Sequence, residues 1–417
     1  MNYFNKHAYY PQKIFEQSEH DLGIVVVIPA FLEPDLLKSL NALRNCISPG
    51  CAVEIIIVIN QPVDAEKSSN EITKEVIAKT SNWICENSKN RLRYYLISAC
   101  DLPSKIAGVG LARKIGMDEA VRRFEISGNA RGIICCFDAD SSCDENYFIA
   151  IEDHFRRNSK STGCSIYFEH PLSGDEFSPS VYEGIMNYEL HLRYYISGLL
   201  FAGHPFAYHT IGSSMAVRAD IYQKQGGMNK RKAGEDFYFL HKIIPLGHFT
   251  ELNTTRIIPS PRPSDRVPFG TGRAINNWLD NKTNVFFSYH PSIFKELKSF
   301  LDLADSLFAS DDESYEKFSK PVSSFLIAND FNDKLKEIRQ NSTGMHSFRK
   351  RFFKWFDGFK TLKFVHYMRD HYFPNIKIDE ASLELLNMQK EKVSEKNGIE
   401  SILMKYREKA KIKLMQN

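Results

Sequence analysis

The amino-acid sequence predicts an α/β protein with a doubly wound, mainly parallel sheet flanked by helices, followed by a helical C-terminal extension. From Gly23 to Ile258, short β-branched runs alternate with stretches of helical periodicity, which is typical of parallel βαβ units. Beyond about Ser260 the apolar residues recur with helical spacing to the end of the chain. The 417 residues exceed one ordinary core, so we expect more than one folded region.

The elements of the first region alternate in order along the chain. Continuous apolar runs such as Ile24–Ile28 are typical of strands that are buried on both faces of a parallel sheet. On this pattern the predicted strands cover residues 24–28, 53–59, 92–97, 133–137, 165–169 and 213–217. Amphipathic periodicity predicts helices between them, over residues 36–45, 72–84, 110–124, 145–155, 181–197 and 219–223.

Changes in composition divide the chain into four predicted parts. The first 22 residues are a polar and aromatic N-terminal extension, and residues 23–259 form the sheet domain. Prolines and glycines then punctuate a loop or linker over residues 260–289. Residues 290–417 form the helical C-terminal region.

Composition excludes several classes of protein. A net charge of +3 is too small, for this length, to indicate nucleic-acid binding. The eight cysteines lie between Cys46 and Cys164 without the Cys-x-x-Cys spacing of a zinc or redox site, which indicates a reducing compartment. The N-terminus lacks the apolar core of a secretion signal, and the most apolar segment, Tyr194–Tyr208, is short and interrupted. We therefore expect a soluble cytoplasmic protein.

The segment Arg349–Arg369 interleaves seven basic residues with seven aromatic ones. One interpretation is a helix that packs its aromatic side chains on the core and leaves its lysines in solvent. The other is a peripheral association with the inner face of a membrane, or with a lipid-linked acceptor.

The most informative motif is the run Gly132–Cys143, in which an apolar strand stops at Asp138 and Asp140. Open α/β sheets bind ligands at the carboxyl ends of their strands. Paired carboxylates at that edge suit a Mg²⁺ or Mn²⁺ ion that bridges a diphosphate. The alternative is a turn whose acids cap the following helix.

Two segments before this motif carry further candidates. The turn over residues 29–34 follows the first strand, where its exposed backbone and Glu33 could meet a nucleotide; the alternative is a plain strand-to-helix turn. The loop over residues 104–113 contains glycines that let backbone amides approach phosphate. Lys105 and Arg113 of this loop can bring positive charge to it.

Two segments after the motif complete the set. The loop over residues 226–236 ends in Glu235 and Asp236 at the start of a helix, where acids ordinarily complement the helix dipole. The loop over residues 259–273 offers Arg262 and Arg266 as a clamp for phosphate or for a charged acceptor. A rigid linker is the alternative for this loop.

In combination and in order, these segments resemble the family 2 glycosyltransferases, which have the GT-A fold. The resemblance covers about Gly23 to Gly247. It rests on the opening strand with its turn, on an arginine in the helix before the acidic motif, on the Asp-x-Asp motif itself and on a loop that leads to an acid pair. The residues that carry it are Ile24–Ala30, Glu33, Arg113, Asp138–Asp140, Gly226–Met228, Glu235 and Asp236.

The resemblance implies a metal-dependent enzyme that transfers a sugar from a nucleotide-diphosphate sugar to a hydroxyl acceptor, with inversion, in the synthesis of a surface polysaccharide or glycoconjugate. Residues 23–259 would then be the nucleotide-sugar-binding and catalytic domain, and residues 260–289 an acceptor-side loop. Asp140, with Asp138, would hold Mn²⁺ or Mg²⁺. Asp236 would be the general base, with Glu235 as its rival. The implied donor contacts are Pro29, Ala30, Glu33, Asn60, Lys105, Arg113 and Asp138.

One departure leaves the nucleobase open. Family members commonly end the second strand with acids, whereas this strand ends at Asn60 and Gln61. Some related GT-A enzymes complete the metal shell with a histidine, so the resemblance makes His204, His209, His241 and His248 candidates; the alternative for each is a structural or exposed histidine. Three alternative functions stay open: a retaining transferase on the same fold, a nucleotidyltransferase and a non-catalytic protein that binds sugar nucleotides. The second lacks its usual glycine-rich loop after the first strand.

Overall fold

The computed structural model describes residues 3–266, 270–281, 283–309, 315–391 and 398–412. The chain divides into two compact units, each built from two separate stretches. The first unit comprises Met1–Tyr182 and Thr210–Asn276, and the second comprises Glu183–His209 and Asn277–Asn417.

The sheet belongs to the first unit and confirms the predicted doubly wound architecture. Within the described residues it has eight strands in the order β3-β2-β1-β4-β7-β6-β8-β5. The pairs β1–β2, β2–β3, β1–β4 and β6–β8 are parallel, whereas β7 is antiparallel to both β4 and β6, and β5 to β8. The strands are β1 (Leu22–Ala30), β2 (Ala52–Pro62), β3 (Leu92–Leu102), β4 (Ile133–Cys136), β5 (Ser142–Cys143), β6 (Gly163–Phe168), β7 (Met215–Arg218) and β8 (Phe249–Ile258).

Helices flank the sheet and build most of the second unit, which also contains the short antiparallel pair β9 (Phe287–Ser288) and β10 (Ile376–Lys377). In chain order they are α1 (Tyr3–His7), α2 (Leu36–Arg44), α3 (Lys67–Asn87), α4 (Val109–Ser127), α5 (Tyr147–Arg157), α6 (Pro179–Phe201), α7 (Ala219–Lys224), α8 (Glu235–Ile243), α9 (Thr271–Asp280), α10 (Pro291–Asp302), α11 (Ser306–Ala309), α12 (Lys320–Ile327), α13 (Phe331–Gln340), α14 (Met345–Trp355), α15 (Gly358–His371), α16 (Ile378–Met388) and α17 (Gly398–Ile412).

Strand β1 lies in the middle of the parallel part of the sheet. Its residues Ile24–Ile28 have no solvent exposure, and each such apolar side chain contributes about 1.5–3 kcal/mol when fully buried. Helix α4 packs closely on this strand, because a Cβ atom on Gly116 would lie only 2.4 Å from Val27 Cγ1. The helix that carries Arg113 is thus fixed directly on the central strand.

The N-terminal extension packs along the same helix. The hydroxyl of Tyr3 donates to Asp118 Oδ1 at 2.7 Å, and the amide of Ile14 donates to Glu119 Oε1 at 2.9 Å. Asp118 also accepts a hydrogen bond from the hydroxyl of Tyr222 at 2.7 Å. These polar contacts explain how α4 tolerates buried acids along its length.

The carboxyl edge of the parallel strands gathers the predicted site. Because β1, β2, β4 and β8 end at this edge, the segments that follow them start there. Directly after β4 the chain turns, and the amide of Ser141 donates to the carbonyl of Asp138 at 3.1 Å. The turn presents Asp138 and Asp140 as the sequence predicts.

An aromatic cluster forms the core of the second unit. The ring of Phe300 lies 5.8 Å from that of Phe352 and 5.1 Å from that of Phe356, measured between centroids. Phe352, Phe356 and Phe364 belong to the basic and aromatic segment, and each is at most 1% exposed. These aromatic side chains therefore pack on the core, as the first interpretation predicts, and membrane association stays a prediction. No helix in the described ranges combines the length and apolarity that crossing a bilayer requires.

Candidate functional site

Arg113 joins two of the predicted acids. Its Nη2 donates to Asp138 Oδ1 and its Nη1 donates to Glu235 Oε1. The side chains of Arg113 and Glu235 are 4% and 3% exposed, so this part of the network is shielded from solvent. Burial opposes the charge on the guanidinium, but the carboxylates of Asp138 and Glu235 outweigh it and raise the pKa of Arg113. The arginine is held charged between the two acids.

Glycines allow the segments that carry this network to approach each other. A Cβ atom on Gly110, in the first turn of α4, would lie 2.2 Å from the carbonyl oxygen of Arg231. Gly234 has a φ of +69°, the left-handed conformation that favours glycine, and it leads directly into α8. The glycine before α8 thus serves the turn that presents Glu235, and Gly110 serves the packing of α4.

The two acids at the start of α8 have different surroundings. Burial raises the pKa of Glu235 to about 7, although Arg113 opposes the shift. Asp236 is half-buried, and its Oδ1 accepts a hydrogen bond from the Phe237 amide at 2.7 Å. Burial also raises the pKa of Asp236, against the opposing charge of Arg113. Glu235 is engaged in an ion pair, whereas Asp236 retains access to solvent.

A second group of charges surrounds Asp140. Arg262, from the segment after β8, donates from Nη2 to Glu33 Oε2 and from Nη1 to Asp35 Oδ2 at 2.9 Å. The same Nη2 lies 3.4 Å from Asp140 Oδ2. Arg266 Nη1 adds a contact to Glu33 Oε2 at 3.0 Å. Both predicted phosphate or acceptor arginines therefore lie at the predicted donor turn.

These neighbours set the protonation of the acids. Partial burial, together with the carboxylates of Asp138 and Glu33, raises the pKa of Asp140 to about 7. Burial opposes ionisation of Glu33 as well, but hydrogen bonds from Arg262 and from the Asp35 amide outweigh it and lower the pKa of Glu33. Asp140 is the acid of this group that lacks sufficient positive charge.

The remaining predicted donor residues lie along the same edge. Pro29 and Ala30 end β1, and Ala30 pairs with Ile59, one residue before Asn60 in β2. Asn60 is buried, at 4% exposure. Lys105 is exposed on the loop before α4. The edge thus offers backbone, an amide and a lysine beside the acids, but no ion pair joins Lys105 to the described acids of the site.

The carboxylate oxygens at this edge of the sheet suit a hard divalent cation. Six carboxylates and three guanidiniums meet here, so acids outnumber bases; the acids are Glu33, Asp35, Asp138, Asp140, Glu235 and Asp236, and the bases Arg113, Arg262 and Arg266. Among the described residues, no group of three or more His, Cys, Asp or Glu side chains is arranged to hold a metal ion by itself. Mg²⁺ is commonly held by one or two carboxylates together with substrate phosphates, which is the arrangement that Asp138 and Asp140 could supply.

Two residues of the site, Gly212 and Asp35, are not among the residues that the sequence predicts. A Cβ atom on Gly212, just before β7, would lie 2.4 Å from Arg113 Nη1, and the backbone of Gly212 hydrogen-bonds to Asp236. Asp35 shares the guanidinium of Arg262 with Glu33. The only sequence signals are a glycine before a strand and a second acid in the turn after β1.

The candidate histidines are spread over both units. His204 and His209 belong to the second unit, and His241 and His248 to the first. His204 is buried, and its Nε2 lies 2.8 Å from Thr361 Oγ1 within the second unit. This contact accounts for His204 as a structural residue.

Comparison with known proteins gives structural matches alone. No protein-family model matches the chain, and no curated protein sequence matches it. The chain is similar to residues 1–349 of TarS from S. aureus in complex with UDP-GlcNAc, at 14% identity and a TM-score of 0.39, over 94% of this chain and 92% of that one. The UDP complex of the same fragment matches at 12% identity and a TM-score of 0.38, over 89% of this chain and 94% of that fragment.

Proposed function

We propose that this protein is a glycosyltransferase that moves a sugar from a nucleotide-diphosphate donor to a hydroxyl acceptor, with inversion at the anomeric carbon and with Mn²⁺ or Mg²⁺ as cofactor. One observation carries the proposal. Arg113 ties Asp138, at the carboxyl end of β4, to Glu235, at the start of α8. An acid suited to the donor and the first acid of the pair suited to the acceptor thus share one buried arginine.

The donor would lie along the carboxyl edge of β1, β2 and β4. Pro29, Ala30 and Asn60 would meet the nucleoside, where the side chain of Asn60 can both donate and accept hydrogen bonds to a base. Lys105 and Arg262 can reach towards a diphosphate as charged donors. Arg113 is enclosed by carboxylates, so we assign it the role of orienting Asp138 and Glu235 rather than of binding phosphate itself.

Asp138 and Asp140 would hold the divalent cation together with oxygens of the diphosphate. When bound, such an ion neutralises the negative charge that develops on the leaving diphosphate. The raised pKa of Asp140 supports this assignment, because it shows an acid whose ionised form lacks a sufficient counter-charge. The chain's own contribution is to keep both carboxylates at the edge of the sheet.

Asp236 would take the proton from the acceptor hydroxyl as that hydroxyl attacks. A general base must come within hydrogen-bond reach of the acceptor. Asp236 is partly exposed, whereas Glu235 is 3% exposed and paired with Arg113. Glu235 is then a positioning residue that fixes the start of α8. The acceptor we propose is a carbohydrate or a lipid-linked glycan of a surface polysaccharide or glycoconjugate pathway, at the cytoplasmic face of the membrane.

A panel of sugar nucleotides tests the proposal. A true donor stabilises the folded state by mass action, so the thermal unfolding midpoint should rise with one sugar nucleotide and should rise further with Mn²⁺. UDP-, GDP- and dTDP-sugars, including UDP-GlcNAc, are compared with the free nucleotides. Asp140→Asn should lose the Mn²⁺ increment. Asp153→Asn, which removes an exposed acid paired with Arg156, should keep it.

Three outcomes would contradict the proposal. A panel without any stabilising sugar nucleotide would remove its substrate class. Release of pyrophosphate from a nucleoside triphosphate and a sugar phosphate would indicate a nucleotidyltransferase. Retention of the donor's anomeric configuration in the product would replace the inverting mechanism with a retaining one.

A further inference from the structure

The guanidinium of Arg262 lies among three carboxylates. Its two terminal nitrogens contact Glu33, Asp35 and Asp140, and its side chain is 19% exposed. Glu33 and Asp35 belong to the turn after β1, whereas Asp140 belongs to the turn after β4. The arginine therefore bridges the two turns between which we place the donor diphosphate.

The contacts of Arg262 are unequal. The guanidinium donates to Glu33, and to Asp35 at 2.9 Å, but its contact to Asp140 is 3.4 Å, long for a charge-assisted hydrogen bond. Asp140 can therefore leave the guanidinium while Glu33 and Asp35 keep it in place. Arg266 also contacts Glu33 and holds the same turn.

We infer that Arg262 and the divalent cation compete for Asp140, and that the donor diphosphate ends this competition when it binds the guanidinium. The inference rests on the proposed function and concerns the order in which the ligands of that site bind. Without diphosphate, Arg262 keeps its contact to Asp140 and weakens the binding of the cation. With diphosphate, Nη2 exchanges the Asp140 oxygen for a phosphate oxygen, and Asp140 is released to the cation.

The chemistry of the two cations supports this exchange. A guanidinium presents a fixed fork of donors that matches phosphate oxygens, whereas a divalent cation prefers compact carboxylate oxygens. When the diphosphate binds, the guanidinium of Arg262 therefore gains phosphate oxygens that match its fork, and the cation gains the carboxylate of Asp140. The exchange makes binding of the cation and of the diphosphate mutually dependent, and Arg262 is the residue that couples them.

Substitution of Arg262 should change the two affinities in opposite directions. The Kd of Mn²⁺ for the full chain is measured from the electron paramagnetic resonance signal of free Mn²⁺, first alone and then with inorganic pyrophosphate as the diphosphate probe. Arg262→Gln should bind Mn²⁺ alone about tenfold more tightly, since one charged contact to Asp140 is gone. The same variant should bind pyrophosphate in the presence of Mn²⁺ about tenfold more weakly.

Two further variants separate this role from a loss of folding. Arg262→Lys keeps the competing charge but loses the fork, so it should bind Mn²⁺ alone as weakly as the wild type and should bind pyrophosphate less well. Arg273→Gln removes a surface arginine that pairs with Asp265 at 2.7 Å in the same segment, and it should match the wild type in both measurements. The thermal unfolding midpoint of each variant reports its fold.

The results have distinct meanings. Unchanged or weaker Mn²⁺ binding by Arg262→Gln would overturn the exchange. The proposed function would survive such a failure of the exchange if a sugar nucleotide still stabilises the wild type. A wild type that binds neither Mn²⁺ with pyrophosphate nor any sugar nucleotide would overturn both the exchange and the proposed function.

Discussion

The backbone of Gly212 comes so close to Arg113 that a Cβ atom on the glycine would lie 2.4 Å from Arg113 Nη1. Arg113 is at the same time held by Asp138 and by Glu235. The guanidinium therefore has a backbone wall on one side and carboxylates at both terminal nitrogens. This close approach fixes the geometry between the Asp138–Asp140 turn and α8.

Gly212→Ala should destabilise the protein by about 1–3 kcal/mol, because the added methyl group must displace either the buried guanidinium or the backbone before β7. Sugar transfer should fall together with stability. Urea unfolding measures the first effect and a transfer assay the second. Gly344→Ala is the matched control, since Gly344 has an extended φ of 174° and open space around it. Equal stabilities of the two variants would show that the contact at Gly212 is not restrictive.

Arg113→Met should cost about 3–5 kcal/mol at pH 8, because Glu235 is then buried without a counter-charge. The double variant Arg113→Met/Glu235→Gln should recover part of this loss, since the amide carries no charge. Urea unfolding at pH 8 and at pH 5.5 distinguishes the cause. Protonation of Glu235 at the lower pH should reduce the deficit of the single variant. A double variant no more stable than the single one would argue against this ion pair as the source.

Asp140→Asn should keep or raise the thermal unfolding midpoint at pH 8, while transfer falls at least about a hundredfold. The pKa of Asp140 in the folded state is about 7, above its ordinary 3.8, so ionisation of this acid opposes folding above pH 7 and the neutral amide removes that cost. Calorimetry and a transfer assay with saturating Mn²⁺ check both effects. Wild-type turnover by this variant would remove Asp140 from the proposed metal site.

Asp236→Asn should lower kcat about 10²–10⁴-fold and leave donor affinity unchanged, because the amide cannot accept the acceptor's proton. Asp220→Asn provides a close control. Each aspartate lies in the first turn of a helix, and each accepts a hydrogen bond from the next amide, at 2.9 Å for Asp220 and 2.7 Å for Asp236. Undiminished transfer by Asp236→Asn would move the general base to another group, with Glu235 as the first candidate.

Two histidines of the second unit, the half-buried His191 and the buried His204, should make the protein sensitive to acid. Burial lowers the pKa of His191 and of His204 to about 4, from an ordinary 6.5. The unfolded chain then binds protons below about pH 6.5 that the folded chain does not bind. Stability is therefore complete above pH 6.5 and falls between pH 6.5 and 4, by about 1.4 kcal/mol per pH unit for each histidine.

Urea unfolding across this pH range measures the slope. His191→Gln should reduce the slope by about one histidine's share, because the amide can keep a hydrogen bond to Ser288 without titrating. His204 should behave in the same way. Its Nδ1 accepts from the Phe206 amide, at 3.2 Å, so a second ring proton would face a donor. An unchanged slope in His191→Gln would show that other groups cause the acid sensitivity.

Local patterns were sufficient to predict most of the sheet. The run Ile24–Ile28 is continuous and β-branched, and it forms the buried strand β1 as expected. The Asp138–Asp140 turn follows β4 because an apolar run that stops at polar residues marks a strand end in both sequence and structure. The absence of β8 from the predicted strands has a physical reason. Its centre, Glu251–Thr255, is polar, and its two sheet neighbours are β6 and the two-residue strand β5.

Contacts between distant segments could not be predicted in this way. Arg262 and Asp140 are 122 residues apart, and nothing in the periodicity of either segment indicates that they meet. The charge of Arg262 predicts phosphate or acceptor binding, but the carboxylate partners of this arginine depend on the position of β8 in the sheet. The close approach of Gly212 to Arg113 likewise depends on where β7 lies, between β4 and β6.

The position of β6 has a consequence for synthesis of the chain. Both of its sheet neighbours, β7 and β8, come later in the sequence. A nascent chain that has emerged as far as Phe168 therefore exposes both edges of an apolar strand, and its acidic Asp138–Asp140 turn still lacks the arginine that follows β8. Unpaired strand edges promote aggregation, so prematurely terminated products should be substrates for chaperones and proteases rather than partly folded, stable fragments.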